Sequence, residues 1–256
     1  MNDINYLNLL RKVVKIVTTF LLLLSFFIFS RSAIIIVLTT AGVKHIGYSK
    51  EDSNLPTGKC LIFVTPDAKR TMSSMLGISA FLGSKDIDYD AVENSKIFYI
   101  EGYMVTSDEN FNAVTSVLKN LNNEDTLKAV SLSDAGIVNG FKDKFLEIES
   151  YGIDMIFCND DEAEAFAGTN DLDQAIEYFK SKPYMTAITK GSEGSVIISN
   201  GKKIFSPAVK IDPIDSNGAG DMYAGSFMHA YLNLSLIHIS EPTRRRGISY
   251  AVFCLK

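Results

Sequence analysis

The sequence predicts an α/β fold in which a mostly parallel sheet is covered by helices, and three observations carry that expectation. From residue 96 onward, short apolar runs alternate with amphipathic segments of helical period. At residues 195–205 the alternation gives way to a pattern that reads as an antiparallel hairpin. Beyond it a glycine turn, residues 215–221 (D-S-N-G-A-G-D), runs directly into the apolar stretch 222–228.

Taken in order, residues 59–72 are strand-like with a turn at Pro66-Asp67, and they stand apart from the alternation that follows. Residues 97–100 (I-F-Y-I) read as a buried strand, followed by Phe111, Val114, Val117 and Leu118 at helical spacing. Residues 127–132 are a second strand, and Phe141, Phe145, Leu146 and Ile148 mark the next helix. A third strand, residues 155–158, ends at Asn159; Leu172, Ala175, Ile176 and Phe179 mark a helix, and residues 185–189 another strand. In the hairpin, residues 195–199 and 202–205 flank Asn200-Gly201, the pair favoured by a type I′ turn because both residues tolerate positive φ.

Composition bounds the function. The chain has 256 residues, 46% hydrophobic and 21% charged, enough to bury a sizeable core as one domain. A net charge of −5 argues against nucleic acid as the main partner. Cys60, Cys158 and Cys254 have no C-x-x-C spacing, so neither a disulfide framework nor a structural zinc site is indicated. Thiols in a cytoplasmic enzyme are the expectation. His45 and His229 fall in no metal-ligand pattern.

The glycine turn is the most specific feature. Gly218 and Gly220 lack a Cβ, so the backbone can turn sharply and bring consecutive N–H groups toward an anion. The helix that follows adds its positive N-terminal end, with Asp221 in the first turn beside that anion. A carboxylate base next to a phosphate cradle suits phosphoryl transfer to a hydroxyl. The plain alternative is a glycine turn with an acidic helix start, which Asp favours in any case. Two other phosphate motifs fail: Tyr223 occupies the third glycine position of a dinucleotide fingerprint, and no G-K-[ST] follows a glycine loop.

At these residues the chain resembles the ribokinase or PfkB carbohydrate kinases, and within them the bacterial adenosine-kinase-like branch. The resemblance rests on residues 211–225 (I-D-P-I-D-S-N-G-A-G-D-M-Y-A-G), 159–162 (N-D-D-E) and 187–195 (A-I-T-K-G-S-E-G-S). Residues 60–72 (C-L-I-F-V-T-P-D-A-K-R-T-M) and 99–103 (Y-I-E-G-Y) resemble the adenosine-kinase-like branch in particular. It runs from about Ala41 to Leu232; Ser216-Asn217 depart from the threonine more usual there. The resemblance implies a ribokinase-like three-layer α/β/α sandwich with the remnant of a small β lid, its N-terminal part missing. It also implies ATP and Mg2+ as cofactors, and a small-molecule nucleoside or sugar as acceptor.

Site roles follow from the same resemblance. Asp221 would be the base, with the N–H groups of Gly218, Ala219 and Gly220 stabilising the transferring group. Asn159 and Glu162 would act around the magnesium ion and phosphates, Glu162 as the metal residue; the alternative is that Asp160, Asp161, Glu162 and Glu164 complement a helix N-terminus. Thr189, Gly191 and Gly194 would form the nucleotide-phosphate loop, with Asp215 also on the cofactor side. Arg70 is a candidate to reach the substrate across the lid, an exposed hairpin arginine being the alternative.

Both ends fall outside the resemblance, giving three expected segments: 1–40, a partial kinase domain at 41–233, and 234–256. Residues 234–256 resemble a translated sequencing adapter, which removes Arg244-Arg245-Arg246, His238 and Cys254 from functional reasoning. Residues 16–29 form an apolar run between Lys15 and Arg31 that is short for a roughly 30 Å hydrocarbon core. Extending it to residue 38 puts Arg31 inside at an insertion cost. An altered start or frame is the expectation, with a membrane role only if residues 16–38 are a genuine anchor. Three functions compete: an adenosine-kinase-like enzyme, a ribose- or fructose-type sugar kinase, and a non-catalytic membrane-tethered or unfolded fragment. Little or no activity is expected of the truncated chain alone.

Overall fold

The computed structural model describes residues 40–43, 54–65, 70–211, 216 and 218–233. The expectations for residues 1–39, His45, Pro66-Asp67, Asp215, Asn217 and 234–256, and for the side chain of Arg70, lie outside the described residues. Two compact units divide the chain, Met1–Glu51 and Asp52–Lys256. In the first, residues 40–43 form a turn with Gly42 at φ 81°.

The second unit begins with a two-stranded antiparallel sheet, β1 (Lys59–Val64) and β2 (Arg70–Met75), with Lys59 opposite Met75 and Val64 opposite Arg70. Strand β2 continues past Met72, the end of the strand-like stretch in the sequence. A 3-10 turn, Gly77–Phe81, follows, where the Ile78 N–H donates to the Pro56 carbonyl at 2.9 Å and ties the base of the hairpin. Helix α1 (Tyr89–Glu93) is capped by Asp88, whose carboxylate accepts from the Ala91 N–H.

Among the described residues the main sheet has six strands in the order β3 (Ile97–Ile100), β4 (Leu127–Ser131), β5 (Met155–Asn159), β6 (Met185–Thr189), β7 (Gly194–Ser199), β8 (Lys202–Pro207). Strands β3 to β6 are parallel, and β7 and β8 are antiparallel additions at one side. Asn200 at φ 52° and Gly201 at φ 71° join β7 to β8 in the left-handed conformation expected of their pair.

The connecting helices are α2 (Asp108–Asn120), α3 (Ala135–Gly140), α4 (Lys142–Ser150), α5 (Asp160–Ala167) and α6 (Leu172–Lys180). Parallel strands that advance in one direction through right-handed crossovers leave all their helices on the same face. The larger core forms there: Val114 and Leu118 of α2, Val138 of α3, Phe145 and Ile148 of α4, Phe166 of α5 and Phe179 of α6 pack against Ile100, Val130, Ile156 and Ile188. Phe166 and Phe179 stack with centroids 5.8 Å apart. The opposite face receives α7 (Ala219–Asn233), whose Tyr223, Ala224 and Phe227 pack on Ala129, Met155, Phe157, Ala187 and Ile197. Helices on both faces of a mostly parallel sheet make a three-layer α/β/α sandwich, as the resemblance implies.

One expected helix differs. Phe141 caps α4 at φ −132° rather than lying inside it, and α3 precedes it as a separate short helix. Among the described residues, no helix is long and apolar enough to cross a membrane.

Candidate functional site

The chemistry-bearing residues gather at the carboxyl ends of β3 to β6, where open α/β sheets bind ligands. At the end of β5, Asn159 is the N-cap of α5 and its side-chain oxygen accepts the Glu162 N–H at 2.8 Å. Glu162 reaches back: one carboxylate oxygen accepts the Asn159 N–H at 3.0 Å and the other the Asn159 Nδ2–H at 2.8 Å. The two residues therefore form a reciprocal capping box. Glu162 is buried, and burial pushes its pKa up to about 7, with Asp134, Glu101 and Asp161 adding to the rise against the Asn159 N–H bond. Each carboxylate oxygen retains a second lone pair, so Glu162 fits the water shell of a hard cation beside its capping bonds. No group of three or more His, Cys, Asp or Glu side chains among the described residues is arranged to hold a metal by itself.

On the next strand, Thr189 pairs with Asn159 across β5 and β6, and its hydroxyl donates to the Cys158 carbonyl at 3.4 Å. The loop that follows carries Gly191 at φ 51° and Gly194 at φ 127°. A Cβ on Gly194 would stand 2.0 Å from the Ser206 carbonyl oxygen of β8, so only glycine fits.

Gly218 has φ 69° and leads into α7, which starts at Ala219. The positive φ that the glycine turn predicted belongs to Gly218; Gly220 already lies in the helix. Asp221 is in the first turn, and Gly218, Ala219, Gly220 and Asp221 are all exposed, while the Ala219 N–H donates to the Ser216 carbonyl at 3.2 Å.

Sequence reasoning missed a second polar group facing this helix start. Glu101, just after β3, is largely buried; burial raises its pKa, the Ser133 hydroxyl bond lowers it, and Asp221 raises it further. Tyr99 is raised by burial first, then by Glu101, with Asp221 adding. Ser133 donates a short hydrogen bond to Glu101 and accepts the Gly102 N–H at 2.9 Å. A lone glutamate after an apolar strand gives little warning of this; the E-G pair closing residues 99–103 is the one signal.

The pfkB family carbohydrate kinase model matches residues 34–241, overlapping the whole of the resembling stretch. Adenosine kinase of Saccharomyces cerevisiae is 30% identical over 203 residues, covering 73% of this chain and 58% of that protein. The crystal structure of adenosine kinase from Sinorhizobium meliloti superposes with a TM-score of 0.70 at 30% identity, covering 78% of this chain and 60% of that one. A probable sugar kinase from Rhizobium etli gives 0.74 at 27% identity, covering 84% of this chain and 64% of that one. The chain thus spans less than two thirds of the length of each of these relatives.

Proposed function

The chain belongs to the pfkB family of carbohydrate kinases, and from that premise we propose that it is the larger part of an ATP-dependent kinase acting on a nucleoside, of the adenosine type. The observation that carries the reading is Asp221 in the first turn of α7, directly after the positive-φ turn at Gly218 and within electrostatic reach of Glu101. Residues 41–233 are taken as the kinase portion.

In this mechanism the Asp221 carboxylate accepts the proton of the acceptor hydroxyl as the γ-phosphoryl group moves to the oxygen. A loose transition state needs little early proton abstraction, so an ordinary carboxylate serves. The N–H groups of Gly218, Ala219 and Gly220 stabilise charge on the transferring group, an effect whose loss costs about 10²–10³ in rate. Thr189, Gly191 and Gly194 hold nucleotide phosphates through the β6–β7 loop, and Asp215 is a further candidate for the cofactor. Asn159 and Glu162 would hold Mg2+ through its water shell, and the ion would supply charge neutralisation for the phosphates. Arg70 is a candidate to bind the acceptor.

A sugar acceptor is the second reading. The Rhizobium etli relative, named as a probable sugar kinase, favours it.

The test measures ATP binding by calorimetry and ADP release with adenosine, ribose and fructose in the presence of Mg2+. Asp221→Asn is expected to keep the fold and nucleotide binding and to abolish turnover in the complete enzyme. Turnover retained in Asp221→Asn would sink the assignment of the base, and a preference for ribose or fructose would select the sugar reading.

A further inference from the structure

Ser133 has φ 68°, one of the two positive-φ non-glycine residues among those described. The Asp134 N–H donates to the Leu132 carbonyl across it at 2.8 Å, closing a three-residue γ-turn of the positive-φ kind, which is rare and strained. The other such residue, Asn200, sits in a hairpin turn that favours it; serine has no such claim. Strain of this sort persists where the surroundings over-determine it, and it clusters at functional sites.

The surroundings are specific. The Ser133 hydroxyl accepts the Gly102 N–H at 2.9 Å, donates to the Glu101 carboxylate, and lies 3.4 Å from the Ser131 hydroxyl. Gly102 cannot retreat or carry a side chain: a Cβ would stand 2.5 Å from the Ser131 carbonyl oxygen and 2.7 Å from the Ser133 hydroxyl. The ends of β3 and β4 are thereby locked together through one oxygen. Relaxing Ser133 to an ordinary φ would carry that oxygen away from both partners.

We propose that Ser133 is a positioning residue: its strained turn is kept so that one hydroxyl binds the Gly102 N–H and the Glu101 carboxylate together, which aims that carboxylate at the acceptor beside Asp221. The contacts stand by themselves, while their consequence for catalysis rests on the kinase reading. Glu101 is faced by Tyr99 on its own strand, by Ser133 and the Gly102 N–H, by Asp221 from α7, and at longer range by Glu162 of α5.

Two substitutions separate positioning from stability. Ser133→Gly removes the hydroxyl and relieves the backbone, so its melting temperature stays near that of the wild type; Ser133→Ala removes the hydroxyl, keeps the strain and melts lower. Both are expected to lose ~10–100-fold in kcat/KM for the acceptor, to similar extents, with KM for ATP unchanged. Glu101→Gln is expected to show the same defect, and Ser133→Gly combined with it to be no worse than either alone. Kinetics that follow the melting temperature, with Ser133→Gly fully active, would overturn the proposal. If the complete enzyme turns over no acceptor, the kinase reading fails separately, and carboxyl 13C NMR of the glutamate-labelled chain still decides Ser133. Loss of its hydroxyl must then raise the titration midpoint of Glu101 equally in both variants; an unmoved midpoint overturns the proposal.

Discussion

Thr186 buries its hydroxyl within β6, and that oxygen has no hydrogen-bond partner among the described residues. A buried polar group without a partner keeps its desolvation cost, so removing it relieves the fold. Thr186→Val is therefore expected to raise unfolding stability by ~1 kcal/mol, read from denaturant midpoints; a loss of stability would mean the hydroxyl is paired in solution. At this scale the sequence was only partly legible. Asp221 and Gly218 were readable because a glycine turn and a helix start have local signatures. Glu101 and Ser133 were not, since the bond between them joins residues from the ends of two different strands and a serine carries no mark of the φ it will adopt.

Helix α5 shows how an element can carry two readings at once. The N-D-D-E motif left a choice between a phosphate-side role and a helix cap, and in the structure Asn159 and Glu162 cap one another at the carboxyl end of β5. Glu162 holds its proton up to about pH 7 in the folded chain, against a reference pKa of 4.5. Between those values the folded state binds a proton that the unfolded state has lost, so this group's stabilisation is full below pH 4.5 and is lost as pH rises through about 7. Melting temperatures from pH 5 to pH 8 are expected to show this fall, and Glu162→Gln to flatten it; equal slopes in both proteins would refute it. The strands were legible as elements because apolar runs such as residues 155–158 are bounded by polar residues. The division of α3 from α4 was not, because Phe141 suits the apolar period whether it lies inside a helix or caps one.

The whole second unit combines a well-buried sheet with a hairpin that contributes little to the core. Leu61, Phe63, Met72 and Met75 of β1 and β2 are exposed, although their apolar character would ordinarily draw them inward. Replacing Leu61 and Phe63 with threonine is expected to leave the melting temperature unchanged and to lower light scattering in concentrated solution. A drop in melting temperature would show that the hairpin is packed. The six-stranded sheet has the opposite character, since its spatial order from β3 to β8 repeats the order of the chain. Each strand pairs with the one synthesised just before it, so the sheet can lengthen one strand at a time as the polypeptide leaves the ribosome. No strand of this sheet has to wait for a later one to be inserted between itself and its predecessor, which keeps loop-closure entropy low at every step.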